Sequence, residues 1–106
     1  MSTLSPFIFS PSIQGVQVKP LTQDGKEIRI RYTGMLSHNG ANQIWMHAAF
    51  GGAKEWNDVK DYQMEKSSEG WEHTVDVKDN QFNFCFRDDA QNWDNNNGSN
   101  WVYRIT

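Results

Sequence analysis

Phe82, Asn83, Phe84, Cys85, Phe86, Arg87 and Asp88 run consecutively, with a phenyl ring at every second position. Successive side chains of a strand point to opposite faces, so the three rings share one face and Asn83, Cys85 and Arg87 share the other. That is the pattern of a strand buried on one side. Working back along the chain, Trp71, His73, Val75 and Val77 share a face opposite Glu72, Thr74 and Asp76. Ile28, Ile30 and Tyr32 alternate with Arg29 and Arg31, and Val16 and Val18 with Gln17 and Lys19, while Pro20 and Asp24-Gly25 supply the turn between these two runs. Working forward, Trp101, Tyr103 and Ile105 close the chain with the same period.

The stretch from Gln43 to Phe50 carries two candidate faces, Ile44, Met46 and Ala48 on one parity and Trp45, His47 and Ala49 on the other. The aliphatic parity is expected to face inward. No segment keeps an apolar stripe of helical period for three turns, and no internal repeat occurs. Short alternating runs separated by glycine, asparagine and aspartate predict an all-β chain folded as an antiparallel β-sandwich.

At 106 residues the chain is one domain, able to bury roughly 65 % of its unfolded surface. Residues 1–15 hold prolines, serines and a Phe7-Ile8-Phe9 patch and read as a tail or weak first strand, with the module proper at 16–106. A net charge of −3 without a long like-charge run argues against nucleic acid or an anionic membrane as partner and favours a neutral ligand. The single Cys85 cannot form an internal disulfide. The first residues lack a basic region followed by an apolar one, and no stretch nears the ~18 apolar residues that span a bilayer. The expected location is cytoplasmic for a complete native chain and extracellular for an excised module.

Strand parity sorts the five tryptophans. Trp71 and Trp101 are in phase with aliphatic neighbours and belong to the core. Trp45 is out of phase with its neighbours and is either a covered edge or an exposed platform. Trp56 follows a Gly51-Gly52 loop. Trp93 lies among Gln91, Asn92, Asp94 and Asn95 to Asn97, with no apolar residue beside it. A ring so placed either folds back to cap a core edge or contacts a ligand. An indole offers a flat apolar face with one N–H donor, and asparagines supply donors and acceptors. Together they suit a sugar, which shows a C–H face and a rim of hydroxyls. Of the histidines, His38 reads as a solvated turn residue and His73 as a satisfied interior or edge residue; His47, on the parity of Trp45, is the one near the candidate surface.

Catalytic and metal readings find little support. With Gly98 at position six of a calcium loop, positions one and twelve fall on Trp93 and Arg104, neither a calcium ligand. One cysteine and scattered histidines give no zinc spacing. Asp88 and Asp94 lack the cleft-building insertions of a glycosidase, and neither a nucleophile elbow nor a phosphate loop occurs. The Asn97-Gly98-Ser99 sequon is read as chance. No catalytic residue, metal or cofactor is expected.

The ordered blocks of this chain resemble carbohydrate-binding module family 25, a family of starch-binding modules. They are Tyr32-Thr33-Gly34 with Leu36; Gly40-Ala41, then Ile44 to His47; Trp56 after a glycine loop; Met64-Glu65-Lys66, then Gly70-Trp71; and Phe84 to Asp88 running into Asn92 to Gly98. The resemblance implies an immunoglobulin-like sandwich that binds α-1,4-glucans, including chains with α-1,6 links, without catalysis, in or beside an amylase-type enzyme. It assigns the sugar platform to His47, Trp56 and Trp93, with Asn96 and Asn97 bonding glucose hydroxyls and Asp94 and Asn95 holding the turn. Where the family commonly has an aromatic and a glycine after the histidine, this chain has Ala48 and Ala49, which affects the tilt of Trp56 against Trp93. A monomer is expected. The competing reading is a protein–protein module whose exposed tryptophans are interface anchors.

Overall fold

The structure is a computed structural model that describes residues 7–51 and 57–105. Its strands are β1 (Val16–Pro20), β2 (Glu27–Tyr32), β3 (Ile44–Phe50), β4 (Asn57–Gln63), β5 (Glu65–Ser67), β6 (Gly70–Asp76), β7 (Gln81–Asp88), β8 (Trp93–Asp94) and β9 (Trp101–Arg104). One helical turn, α1 (Met35–His38), interrupts them. The strands form two antiparallel sheets, β1-β2-β6-β5 and β4-β3-β7, and the far edge of β7 is shared by β8 and β9. This is the expected β-sandwich.

The alternating pattern decides which face turns to the core, although β7 departs from a strand with one wet face, since Asn83 and Cys85 on its other side are buried as well. Phe82, Phe84 and Phe86 are at most 1 % exposed and meet Ile28, Ile30 and Tyr32 of the other sheet across a single core. Burying each such side chain contributes about 1.5–3 kcal/mol. The Tyr32 ring stacks on Phe86 at 4.2 Å, and Trp101 stands edge-on to Phe86 at 5.4 Å. Gly34 keeps this arrangement possible, since a Cβ there would lie 2.6 Å from the Tyr32 ring. Trp71 and Trp101 are buried, as parity requires.

β3 follows its aliphatic parity, with Ile44, Met46 and Ala48 buried and Trp45 and His47 half-buried on the outer side. The alternation ends at Ala49 and Phe50, both buried, where the register against β4 shifts. His73 departs from the satisfied histidine expected. It lies on the inner side, opposite Ile30, with its ring 5.3 Å from Tyr62 and its buried Nδ1 without a hydrogen-bond partner. Loss of hydration there pushes its pKa below the ordinary imidazole value.

Residues 7–15 run back along β1. Ser10 N–H donates to Val18 O at 2.9 Å, and the Phe9 ring lies beneath the guanidinium of Arg31 at 3.8 Å. The outer face of that sheet is charged: Glu72, 7 % exposed, accepts from Arg29 at 2.8 Å and Arg31 at 3.2 Å. The outer face of the other sheet is aromatic.

Candidate functional site

Cross-strand register assembles that aromatic face. Arg87 of β7 faces Trp45 of β3 on one side and Trp93 of β8 on the other, and Trp45 in turn faces Gln63 of β4. One step along, His47 faces Asp61 of β4. Side chains on one face of neighbouring strands are in reach of each other, and here they interlock.

Trp93 is 45 % exposed, and its indole meets the His47 imidazole at 5.3 Å and 89°. A perpendicular ring pair of this kind is worth about 0.5–1.5 kcal/mol beyond burial. It holds the indole in place while much of it stays open to solvent. His47 Nδ1 is 2.7 Å from Asp61 Oδ1, while the other oxygen, Oδ2, accepts from Arg87 Nη2 at 3.4 Å. The carboxylate at Nδ1 fixes the orientation of the imidazole ring. The Arg87 guanidinium lies over the Trp45 ring at 4.6 Å. Rings and hydrogen-bonding groups therefore alternate across this surface, with a carboxylate and a guanidinium between them.

The segment after β8 is set by backbone conformation. Asn96, Asn97 and Gly98 have φ of 56°, 55° and 90°, a run of left-handed residues. Asparagine tolerates that region better than most residues. The turn closes through Asn100 N–H donating to Asn95 O at 2.7 Å, and Asn96 Nδ2 donates to Asn100 O at 3.0 Å. Asp94 points inward, accepting from the Tyr32 hydroxyl at 2.6 Å and from Asn96 N–H at 3.3 Å. Before β8, Asp88 Oδ1 accepts from the N–H groups of Ala90 and Asn92, and its Oδ2 from Asn92 Nδ2. These bonds, led by the Asn92 side chain, hold the Asp88 carboxyl below the usual carboxylate range.

Of the residues singled out in the sequence, His47 and Trp93 are brought into contact. Asn96 and Asn97 line a depression of about 140 Å³ together with Asp94, Met35 and Gln14. Trp56 lies outside the described residues. Sequence reasoning missed Asp61 and Arg87, because what recruits them is the register of β4 and β7 against β3. The hint for Arg87 was its place opposite the phenyl face of β7. Cys85 sits between these residues but is buried, and loss of hydration pushes its thiol up to about 11, which keeps it protonated and inert.

Comparison with known proteins bears on what this face does. An alpha-amylase of Clostridium acetobutylicum is 30 % identical over 98 residues, covering 90 % of this chain and 12 % of the amylase. The chain thus spans a small part of the relative it matches. No solved structure matches it. The starch/carbohydrate-binding module of family 53 matches residues 28–84, from β2 into β7, a stretch that includes Trp45, His47 and Asp61 and ends before Trp93. The chain belongs to the family 53 starch/carbohydrate-binding modules.

Proposed function

We propose that this module holds α-1,4-glucans on the outer face of the sheet containing β3 and β7, with His47, Trp56 and Trp93 as the ring platform and Asn96 and Asn97 as partners for glucose hydroxyls. The roles of these five residues come from the finer likeness to family 25 beside membership of family 53. What supports the reading is the half-exposed Trp93 indole held perpendicular to His47. The binding unit is residues 16–106, a monomer that acts without catalysis as part of, or companion to, an amylase-type enzyme.

Shape supplies the selectivity. An α-1,4-glucan curves, so successive glucosyl rings present their apolar faces at an angle, and rings set on different strands and loops meet that curve better than a flat platform does. Because the sandwich fixes the rings, little ordering cost opposes binding. A shallow polar surface with one or two stacked rings reaches a Kd of about 10 μM to 1 mM, or about −4 to −7 kcal/mol.

Titration of tryptophan fluorescence with maltopentaose and cellopentaose tests this directly. Maltopentaose should quench or shift the emission and cellopentaose should do much less. Equal responses would remove the curvature argument. Retention on insoluble starch is the simplest first check; failure to be retained, together with binding of a protein partner that soluble maltoheptaose fails to compete, would count against a glucan site and favour a protein-docking surface.

A further inference from the structure

We propose that Trp45 and Arg87 form a second glucosyl subsite on the same sheet, contiguous with the Trp93 end, so that one glucan chain lies across β8, β7 and β3. The inference rests on the glucan reading above and extends it to residues that reading does not use.

Three observations carry it. Trp93, Arg87, Trp45 and Gln63 are successive register partners on four adjacent strands, so they form a single row on one face. With strands about 4.8 Å apart, the backbones of Trp93 and Trp45 stand about 10 Å apart, a separation that several linked sugars can span. Secondly, the Trp45 indole is half-buried although nothing in the core requires it, being on the parity opposite Ile44 and Met46. Thirdly, the Arg87 guanidinium is 4.6 Å from the Trp45 ring and bonded to Asp61 at 3.4 Å, with 20 % of its side chain exposed. Held on both sides, its planar fork is preorganised for two neighbouring oxygen acceptors, and less freedom is lost when they arrive. Vicinal sugar hydroxyls are such a pair. Trp45 and Arg87 thus place a second apolar ring beside a hydrogen-bonding group, with the ring two strands away from Trp93.

A covering role alone, with Arg87 merely shielding an exposed indole, predicts no dependence on ligand length. The test is the ratio of affinities for maltoheptaose and maltotriose, measured by calorimetry. A short chain is satisfied by the Trp93 end, and a longer one reaches Trp45. In the unmodified chain maltoheptaose should bind more tightly, and Trp45→Ala should shrink the ratio about tenfold, the size of one lost ring contact. Trp45→Phe, which keeps a ring, should retain most of it. A preference for maltoheptaose that survives Trp45→Ala in a folded variant would overturn the subsite and leave the Trp93 platform standing. Failure of the unmodified chain to bind either sugar would overturn the glucan reading itself and the subsite with it. Should Trp45→Ala fail to fold, the indole N–H signals of the unmodified chain decide. Maltoheptaose should move those of both Trp45 and Trp93; movement of Trp93 alone would overturn the subsite.

Discussion

The buried hydroxyl of Tyr32 donates a 2.6 Å hydrogen bond to Asp94, the residue after Trp93, and accepts one from the N–H of Leu36 at 3.0 Å. Tyr32 belongs to the opposite sheet, so this bond runs through the core and fixes the strand that displays the exposed indole. Burial and then the Asp94 bond raise the phenol far above its ordinary pKa, which keeps the proton in place as a donor.

Tyr32→Phe should therefore keep the ring stacking on Phe86 while stranding the Asp94 carboxylate and the Leu36 N–H. The expected cost is about 1–3 kcal/mol in urea denaturation. The loosening should also be local: amide exchange should quicken from Asn95 to Asn100 more than in β2. Uniform acceleration across both sheets would mean that the bond supports the fold without favouring the loop.

What the sequence disclosed was parity, and what it hid was register. The phenyl face of β7 and the inward aliphatic face of β3 follow from side chains alternating two by two, a local rule visible in any strand. Asp61 meets His47, and Arg87 meets Trp45, only because β4 and β7 pair with β3 in one alignment, which residues distant in the chain do not announce. β4 and β5 were not legible, since Asn57 to Ser67 is mostly polar on both parities. The single turn of α1 is too short to show a period. In the sequence the asparagine run speaks for hydrogen-bonding chemistry, yet three successive left-handed residues give it a backbone reason as well. The orphaned Nδ1 of His73 depends on the packing of Tyr62 over it and has no signal in sequence.

His73 makes acid stability a two-step affair. Its folded pKa lies below the ordinary imidazole value of about 6.5, so the unfolded chain takes up a proton first. Its contribution is complete above that value and is lost as pH falls below it. Glu72 behaves as the usual carboxylate: burial opposes its ionisation, but bonds from Ser67, Arg29 and Arg31 outweigh this and lower its pKa. Its contribution, with that of Asp88, is lost later, as pH falls out of the carboxylate range. Melting temperatures from pH 8 to 3 should decline in two stages, and His73→Phe, which keeps a ring against Tyr62, should erase the first. An unchanged profile between pH 7 and 5 would refute the assignment.

Chelation should leave glucan binding untouched. The calcium-loop register fails at Trp93 and Arg104, and the carboxylates of Asp88 and Asp94 are engaged by Ala90, Asn92, Tyr32 and Asn96. Dialysis against EDTA, followed by the same sugar titration, checks this; a loss of affinity restored by added calcium would show that the loop binds metal after all.

Trp93→Ala and Trp71→Ala separate binding from folding. The Trp93 indole is 45 % exposed and leans on His47, whereas Trp71 is 4 % exposed and faces the core beside Val75. Removing Trp93 should cost about 2 kcal/mol of binding, or about thirtyfold in Kd, which takes a weak site close to undetectable. The melting temperature should fall by only a few degrees, since what is lost is the pair with His47, about 0.5–1.5 kcal/mol, and a partly covered ring. Removing Trp71 should cost about 3–5 kcal/mol of stability, a large share of the 5–15 kcal/mol typical of a small domain. Any loss of sugar binding there should track the unfolded fraction. Calorimetry with maltoheptaose beside thermal melts decides between the two roles. If Trp93→Ala unfolds the chain while its folded fraction still binds, the indole is a cap over β7 and the sugar contacts lie elsewhere on the sheet.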